Sequence, residues 1–200
     1  MEKNILIAGK DIPFCSDFAQ QLLLSGCNVV AAGKTDSPES SVPSEVKAVS
    51  WNKSSAMSAR SVIIQAETLH NFADDAILYF DAPQFVAQFG SLTSDSCAPA
   101  ADAMILGYQY LTIELLNRIE QHKAKSRIIF LLKTCPTTAE TSRSASLKKT
   151  VSSPANAIVA AAEASFATFA ENIAAATEES QYASVLLVTG DSQNETMQND

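Results

Sequence analysis

Two short groups of residues have the side chains and spacing to do chemistry, and the first surrounds a cysteine. Cys135 comes two residues after Lys133, at the end of an apolar run, and Lys148 and Lys149 follow in the next polar stretch. A thiol beside lysines can have a lowered pKa and act as a nucleophile. No histidine is tied to Cys135 by the spacing, so an inert loop cysteine stays open as the simpler interpretation.

The second group could bind a phosphate. Gly9 ends the first apolar run, Pro13 and Cys15 lie before a helical pattern, and Lys34 follows the second apolar run. Backbone N–H groups of a glycine turn at a helix N-terminus bind phosphates. Pro13 has no N–H to donate, although proline is also common in the first turn of a helix. A phosphate-binding turn and a purely structural turn are therefore both open.

The composition argues against several other functions. The four cysteines show no CxxC spacing and the two histidines stand apart, which predicts reduced thiols and no metal site. The formal net charge of −8 argues against binding to nucleic acid or to an anionic membrane surface. No run approaches the ~18 apolar residues of a membrane span, and the first run is too short for a signal sequence. We expect a cytoplasmic protein that spans no membrane.

The elements that must position these residues follow from the apolar pattern. Six apolar runs predict strands at 4–9, 28–33, 45–51, 76–82, 127–134 and 183–190. Runs that are apolar at nearly every position indicate strands covered on both faces, as in a parallel sheet. Helical segments separate them, among them one with Ser54 or Ser55 as N-cap and two long ones at 99–125 and 154–180. The alternation predicts an α/β fold, a doubly wound, Rossmann-like parallel sheet of six strands with helices on both faces.

The length predicts one domain at 1–190 and a polar, disordered tail at 191–200. Two further polar segments, 35–44 and 135–154, are predicted to be loops. A connection as long as the second is usually functional.

Four motifs resemble the short-chain dehydrogenase/reductase family along nearly the whole chain. AGKDIPFC at 8–15 takes the place of the family's TGxxxGxG turn, and GCNVVAAGK at 26–34 that of its second strand. FDAP at 80–83 takes the place of NNAG, and AMILGYQYLT at 103–112 that of the helix with an asparagine ahead of a glycine. The resemblance implies a fold that binds NAD or NADP.

The resemblance also implies where a cofactor would bind. Its candidate contacts are Gly9, Lys10, Ile12, Lys34, Asn52, Asp81 and Ala82. Lys34 stands where NADP-specific members hold the adenosine 2′-phosphate, so NADP is the expected cofactor if one binds. Asn52 takes the place of an aspartate that holds adenine, and Trp51 could stack on that ring. Alternatively, Trp51 caps the sheet edge and Asn52 lies in a turn.

The family's catalytic residues are absent. Members use a tyrosine as general acid with a lysine four residues later on the same helix face, together with a serine and an asparagine. The tyrosine, lysine and asparagine positions here hold Ala155, Val159 and Met104, and the serine position falls at Lys133 or Thr134. No lysine follows Lys149. Carbonyl reduction by the family's mechanism is therefore not expected.

Three functions remain open. The first is a catalytically degenerate member that acts as a non-enzymatic scaffold, assembly or regulatory partner of another protein. The second is a sensor that binds NADP(H) through Gly9 and Lys34, and the third is an atypical NAD(P)-dependent oxidoreductase. Small residues in the helix at 154–180 allow close packing, which predicts a homodimer through this helix and the one at 99–125.

Overall fold

Strands and helices alternate along the chain, as the apolar pattern predicts. The computed structural model describes residues 2–10, 16–34, 45–89, 93–135 and 154–190. The strands are β1 Asn4–Ala8, β2 Asn28–Gly33, β3 Lys47–Ser50, β4 Asp75–Asp81, β5 Ser126–Lys133 and β6 Ala183–Gly190. The helices are α1 Ser16–Leu24, α2 Ala56–His70, α3 Ala82–Gln88, α4 Cys97–Ala101, α5 Gly107–His122 and α6 Pro154–Ala176. A π-helical turn at Asp102–Leu106 joins α4 to α5.

Several sequence predictions fall outside the described residues. They concern Ile12, Pro13 and Cys15 in the first turn, the loop at 35–44, nearly all of the loop at 135–154 and the tail at 191–200. None of the helices within the described ranges is long and apolar enough to cross a membrane.

The six strands form one parallel sheet in the order β3-β2-β1-β4-β5-β6. The predicted doubly wound sheet is therefore confirmed, with strand ends within two residues of the predicted ones. The predicted strand at 76–82 ends earlier, at Asp81, because the Asp81 carboxylate accepts a hydrogen bond from the Gln84 backbone N–H at 3.0 Å. This contact caps α3, a helix that the sequence pattern did not predict.

Each face of the sheet has its own core. On the α5 face, named after its central helix, strand residues such as Leu6 and Phe130 pack against α2, α5 and α6. On the opposite α1 face, Ile7 and Ile77 pack against Ala19 of α1. Helices thus cover both faces as predicted, but within the described ranges α1 is the only helix that joins the second core.

Side-chain contacts fix the helices that border the site. Ser55 is the N-cap of α2, since its hydroxyl accepts a hydrogen bond from the Ser58 N–H at 3.2 Å. Arg60 on α2 reaches Glu114 on α5 with two hydrogen bonds, at 3.1 and 2.9 Å. The long helix predicted at 99–125 ends at His122, because Lys123 takes a left-handed conformation with φ of +50°.

Candidate functional site

The carboxyl ends of the strands form the edge at which open parallel sheets bind ligands. β1 is followed there by Gly9, β3 by Trp51, and β4 ends at Asp81. The strand order changes direction between β1 and β4, which lie side by side. A crevice at this point is the expected place for a site.

A pocket of about 390 Å³ lies at this edge, between the end of β3 and helix α3. Lys34, Asn52 and Lys53 contribute polar groups to it, and Phe85 and Phe89 contribute an apolar wall. The described residues that line it include two lysines and no carboxylate. An apolar wall with a few polar groups is typical of a small-molecule site, and the two lysines can contact an anionic group of a ligand that also carries an apolar or aromatic part.

Lys53 is the pocket residue that sequence reasoning missed. Its ammonium nitrogen lies 5.2 Å from the ring centroid of Trp51, 5.1 Å from that of Phe85 and 5.2 Å from that of Tyr108. Cation–π attraction to three rings holds the charge beside the pocket. The Lys53 stem also packs on Gly107, where a Cβ would lie 2.6 Å from the Lys53 Cβ. The sequence spacing could not predict this cluster, because the three rings come from separate parts of the chain: Trp51 follows β3, Phe85 lies in α3 and Tyr108 lies in α5.

Trp51 is buried beneath the pocket. Its ring lies edge-on to Tyr108 at a centroid distance of 5.7 Å, and only 3% of the residue is exposed. Its indole N–H is buried without a hydrogen-bond partner in the described protein. The neighbouring Asn52 lies in the turn before α2, where its side-chain oxygen accepts a hydrogen bond from the Ser54 N–H at 3.1 Å. Because buried donors are normally paired, the Trp51 N–H is an exception among the described polar groups.

Gly9 is surrounded by protein. Its φ is +103°, and a Cβ there would lie 2.3 Å from the Tyr79 carbonyl oxygen and 2.6 Å from the Tyr108 hydroxyl. The Tyr108 hydroxyl itself donates a buried hydrogen bond to that carbonyl at 2.6 Å. Packing alone therefore requires glycine at this position, so its presence does not by itself indicate a phosphate.

The remaining predicted cofactor contacts do not join the pocket. The Lys10 ammonium lies over the Tyr79 ring at 5.3 Å, on the α1 face. Asp81 is used within the protein: it accepts a hydrogen bond from the Tyr79 hydroxyl at 3.1 Å and lies 3.6 Å from the Lys133 ammonium. Ala82 is fully buried, so its side chain cannot contact a ligand. Of the predicted contacts, Lys34 and Asn52 line the pocket together, and Ile12 lies outside the described residues.

The thiol of Cys135 does not have the lowered pKa that the nearby lysines could have provided. Burial, followed by the negative charges of Glu163 and Asp81, raises its pKa to about 11. Burial also raises the pKa of the Glu163 carboxyl, although a hydrogen bond from the Cys135 backbone opposes this shift. Lys133, the described lysine nearest in sequence, is paired with Asp81. The thiol is therefore protonated at neutral pH, and the inert interpretation fits it better.

No group of three or more His, Cys, Asp or Glu side chains within the described ranges could hold a metal ion.

Solved structures of known enzymes share this architecture. A short-chain dehydrogenase from Leptospira borgpetersenii with bound NAD+ has a TM-score of 0.69 and 12% sequence identity, over 96% of this chain and 71% of that one. The chain has the short-chain dehydrogenase fold. A 3-ketoacyl-(acyl-carrier-protein) reductase from Brucella melitensis complexed with NADH has a TM-score of 0.69 and 13% identity, over 94% and 75% of the two chains. A glucose/ribitol dehydrogenase from the same organism has a TM-score of 0.66 and 17% identity, over 96% and 78%. No family model and no curated protein matches the sequence.

Within the short-chain dehydrogenase fold, the positions expected to carry catalytic groups hold other residues. Val159 and Met104, at the expected lysine and asparagine positions, are each 1% exposed and lie in the apolar core of the α5 face. Ala155, at the expected tyrosine position, lies in the first turn of α6. Of the two candidates for the serine position, Thr134 donates a hydrogen bond from its hydroxyl to the Gly190 carbonyl at 3.2 Å, and Lys133 lies 3.6 Å from the Asp81 carboxylate.

Proposed function

We propose that this protein is a non-catalytic protein of the short-chain dehydrogenase fold that acts by binding, as a scaffold, assembly or regulatory partner. The supporting observation is that Val159 and Met104 lie in the core at the expected catalytic positions. Reduction of a carbonyl needs a proton donor beside the hydride acceptor, and positioned acids and bases contribute ~10²–10⁴-fold each. We further expect the protein in the cytoplasm.

The test is an activity assay of the purified chain with NADH or NADPH and a panel of carbonyl compounds, and with alcohols in the reverse direction. We expect no turnover. Turnover that disappears in Thr134→Ala but persists in the matched control Thr168→Ala, at an exposed position of α6, would contradict the proposal and favour an atypical oxidoreductase.

A second candidate function is binding of NADP(H) or its adenosine phosphate part as a regulatory signal. The pocket at the end of β3 favours it, because Lys34 and Lys53 line it beside the apolar wall of Phe85 and Phe89. Anions that carry an aromatic ring match both the charge of this pocket and its apolar wall. The two proposals are compatible, since a partner protein can respond to a bound nucleotide.

Titration with NADPH, NADH and 2′,5′-ADP tests this binding. Trp51 is the only tryptophan of the chain, so its fluorescence reports on the pocket directly. We expect saturable binding that prefers NADPH over NADH and weakens in Lys34→Ala. The control Lys47→Ala removes an exposed lysine of the neighbouring strand and should leave binding unchanged. Absence of any saturable change would contradict nucleotide binding and leave the scaffold proposal standing.

The predicted homodimer through the helices at 99–125 and 154–180 stays a proposal. Ile113 on α5 is 50% exposed, and Ala161, Ala164 and Thr168 line a shallow groove on α6. An exposed apolar side chain and a row of small residues are suited to helix packing between subunits. A monomeric mass in sedimentation at micromolar concentration would contradict the dimer.

A further inference from the structure

The pocket at the end of β3 lacks the kind of group that binds adenine. The edge of adenine presents an amino group, which donates hydrogen bonds, beside the acceptor N7. A site for adenine therefore needs an acceptor, which the aspartate of the family supplies at the position that Asn52 takes here. The described residues that line this pocket include no carboxylate, so none of them replaces that aspartate with an ionised acceptor.

The side chain of Asn52 is held in its own turn. Its amide oxygen accepts a hydrogen bond from the Ser54 backbone N–H at 3.1 Å, and its backbone N–H donates to the Ser58 hydroxyl at 2.9 Å. Asparagine commonly closes a turn by bonding the backbone two residues further on. The turn therefore uses the acceptor of this amide, and the other polar group of the side chain is an NH₂, which donates.

Lys53 places a cation in the lining directly after this turn. Its position is fixed, because the ammonium nitrogen lies within 5.2 Å of the ring centroids of Trp51, Phe85 and Tyr108 and the stem packs on Gly107. An ammonium group has three N–H donors and no acceptor. An oxygen on the edge of a bound ring would accept a hydrogen bond from this group, whereas the amino group of adenine would meet another donor.

The apolar wall of the pocket suits the face of a flat ring. The rings of Phe85 and Phe89 are nearly parallel, with an interplanar angle of 18° and centroids 6.3 Å apart. Pro99 of α4 and Ala103 of the following π-helical turn extend this wall. Aromatic rings pack favourably on one another in offset or edge-on arrangements. With Lys34 in the lining as a contact for a phosphate, the pocket matches the parts of a nucleotide.

We propose that this pocket selects a nucleotide whose base is a 6-oxopurine, with an oxygen in place of the adenine amino group, and that Lys53 makes this selection. The inference rests on the proposed nucleotide binding and narrows it to one class of base. Lysine donating to the O6 and N7 acceptors of a 6-oxopurine is a recurrent contact in nucleic-acid recognition. Adenine would leave its amino group facing a cation, and a polar group that loses water without gaining a partner weakens binding.

Titration of the full chain with inosine 5′-monophosphate (IMP) and adenosine 5′-monophosphate (AMP) tests the proposal. The two nucleotides share the ribose phosphate and differ only in the six-membered ring of the purine, and calorimetry measures both affinities. We expect IMP to bind about tenfold more tightly than AMP, as one hydrogen bond to a charged group would produce. Lys53→Met keeps an apolar stem beside Gly107 but removes the ammonium, so the preference should fall to about twofold or less. The control Lys47→Met, at an exposed lysine of β3, should keep the preference.

A second variant restores the missing acceptor. Asn52→Asp keeps an oxygen for the Ser54 N–H and adds another that can accept from the adenine amino group, so it should shift the preference toward AMP. Circular dichroism checks that each variant is folded. Equal affinities, tighter binding of AMP, or a preference for IMP that survives Lys53→Met would overturn this inference and leave nucleotide binding standing. Absence of binding by both nucleotides would also overturn it, and the NADPH titration then shows whether the proposed nucleotide binding fails with it.

Discussion

Replacing Gly9 with alanine should destabilise the protein far more than the same change at Gly26. Both glycines have a positive φ, +103° for Gly9 and +81° for Gly26. A Cβ at Gly26 meets nothing within 4 Å, whereas one at Gly9 lies 2.3 Å from the Tyr79 carbonyl oxygen. The two positions therefore share the backbone strain and differ in crowding.

The size of the effect follows from these two terms. An alanine with positive φ costs ~1–3 kcal/mol, and overpacking a well-filled interior costs ~1–3 kcal/mol more. Gly9→Ala is therefore expected to lower the free energy of unfolding by roughly 2–6 kcal/mol, out of the ~5–15 kcal/mol typical of a domain. For a chain of this size the midpoint of thermal unfolding falls by roughly 4–24 °C. Gly26→Ala carries only the strain term, ~1–3 kcal/mol.

Urea denaturation, followed by Trp51 fluorescence and by circular dichroism, measures the free energy of unfolding of both variants. The double variant Gly9→Ala/Tyr108→Phe removes the hydroxyl at 2.6 Å but leaves the Tyr79 carbonyl at 2.3 Å, so its rescue should be partial at most. Tyr108→Phe alone leaves that buried carbonyl without its hydroxyl donor, at a cost of ~1–3 kcal/mol. Equal losses for Gly9→Ala and Gly26→Ala would refute the crowding argument and return Gly9 to the role of a phosphate-turn glycine.

Three further predictions rest on titrating groups. Because burial raises the pKa of Cys135 to about 11, only about one thiol in ten thousand is ionised at pH 7. Mass spectrometry should show Cys135 alkylated more slowly than the exposed Cys97, and equal rates would contradict this. Burial raises the pKa of the Glu163 carboxyl, so the stability that this carboxyl contributes is lost as pH rises through its folded-state pKa. Glu163→Gln should therefore raise the melting temperature at neutral pH but not at acidic pH. The reverse pattern would exclude the Glu163 carboxylate as the cause of the pH dependence. Burial tends to raise the pKa of Asp75, but Arg127 and Lys3 outweigh it and hold that pKa below its ordinary value. The stability from Asp75 is then present above the unfolded-state pKa and lost as pH falls through the folded-state pKa. Asp75→Asn should cost ~1–3 kcal/mol at neutral pH and flatten the acid limb of the stability profile, and an unchanged limb would disprove the assignment.

The strands were predictable because their side chains are apolar on both faces, a property that can be read in single runs such as 127–134 and 183–190. Their order in the sheet was not predicted and comes from the tertiary structure. Helix α3 was not predicted, because its first turn depends on Asp81 capping the backbone just as β4 ends. Seven residues contain too few periodic positions to distinguish such a helix from a turn.

The candidate site, like the fold, could be predicted from the sequence only in part. Lys34 and Asn52 were predictable because they follow strands directly, and the structure places both on one pocket. Lys10 and Asp81 also follow or end strands, but tertiary contacts direct Lys10 to the α1 face and tie Asp81 to Lys133. Which way a side chain points at a strand end depends on the neighbouring strand and helix, and the local sequence does not contain them.

The sequence by itself determined the parallel α/β architecture and the absence of tyrosine and lysine from the segment 154–180, because both are properties of residue types along the chain. Only the tertiary structure decided the environment of each group. It assembled three rings around Lys53 and placed the half-buried thiol of Cys135 beside Glu163. These features arise from contacts between residues far apart in sequence, and their charges, hydrogen bonds and exposure exist only once the chain has folded.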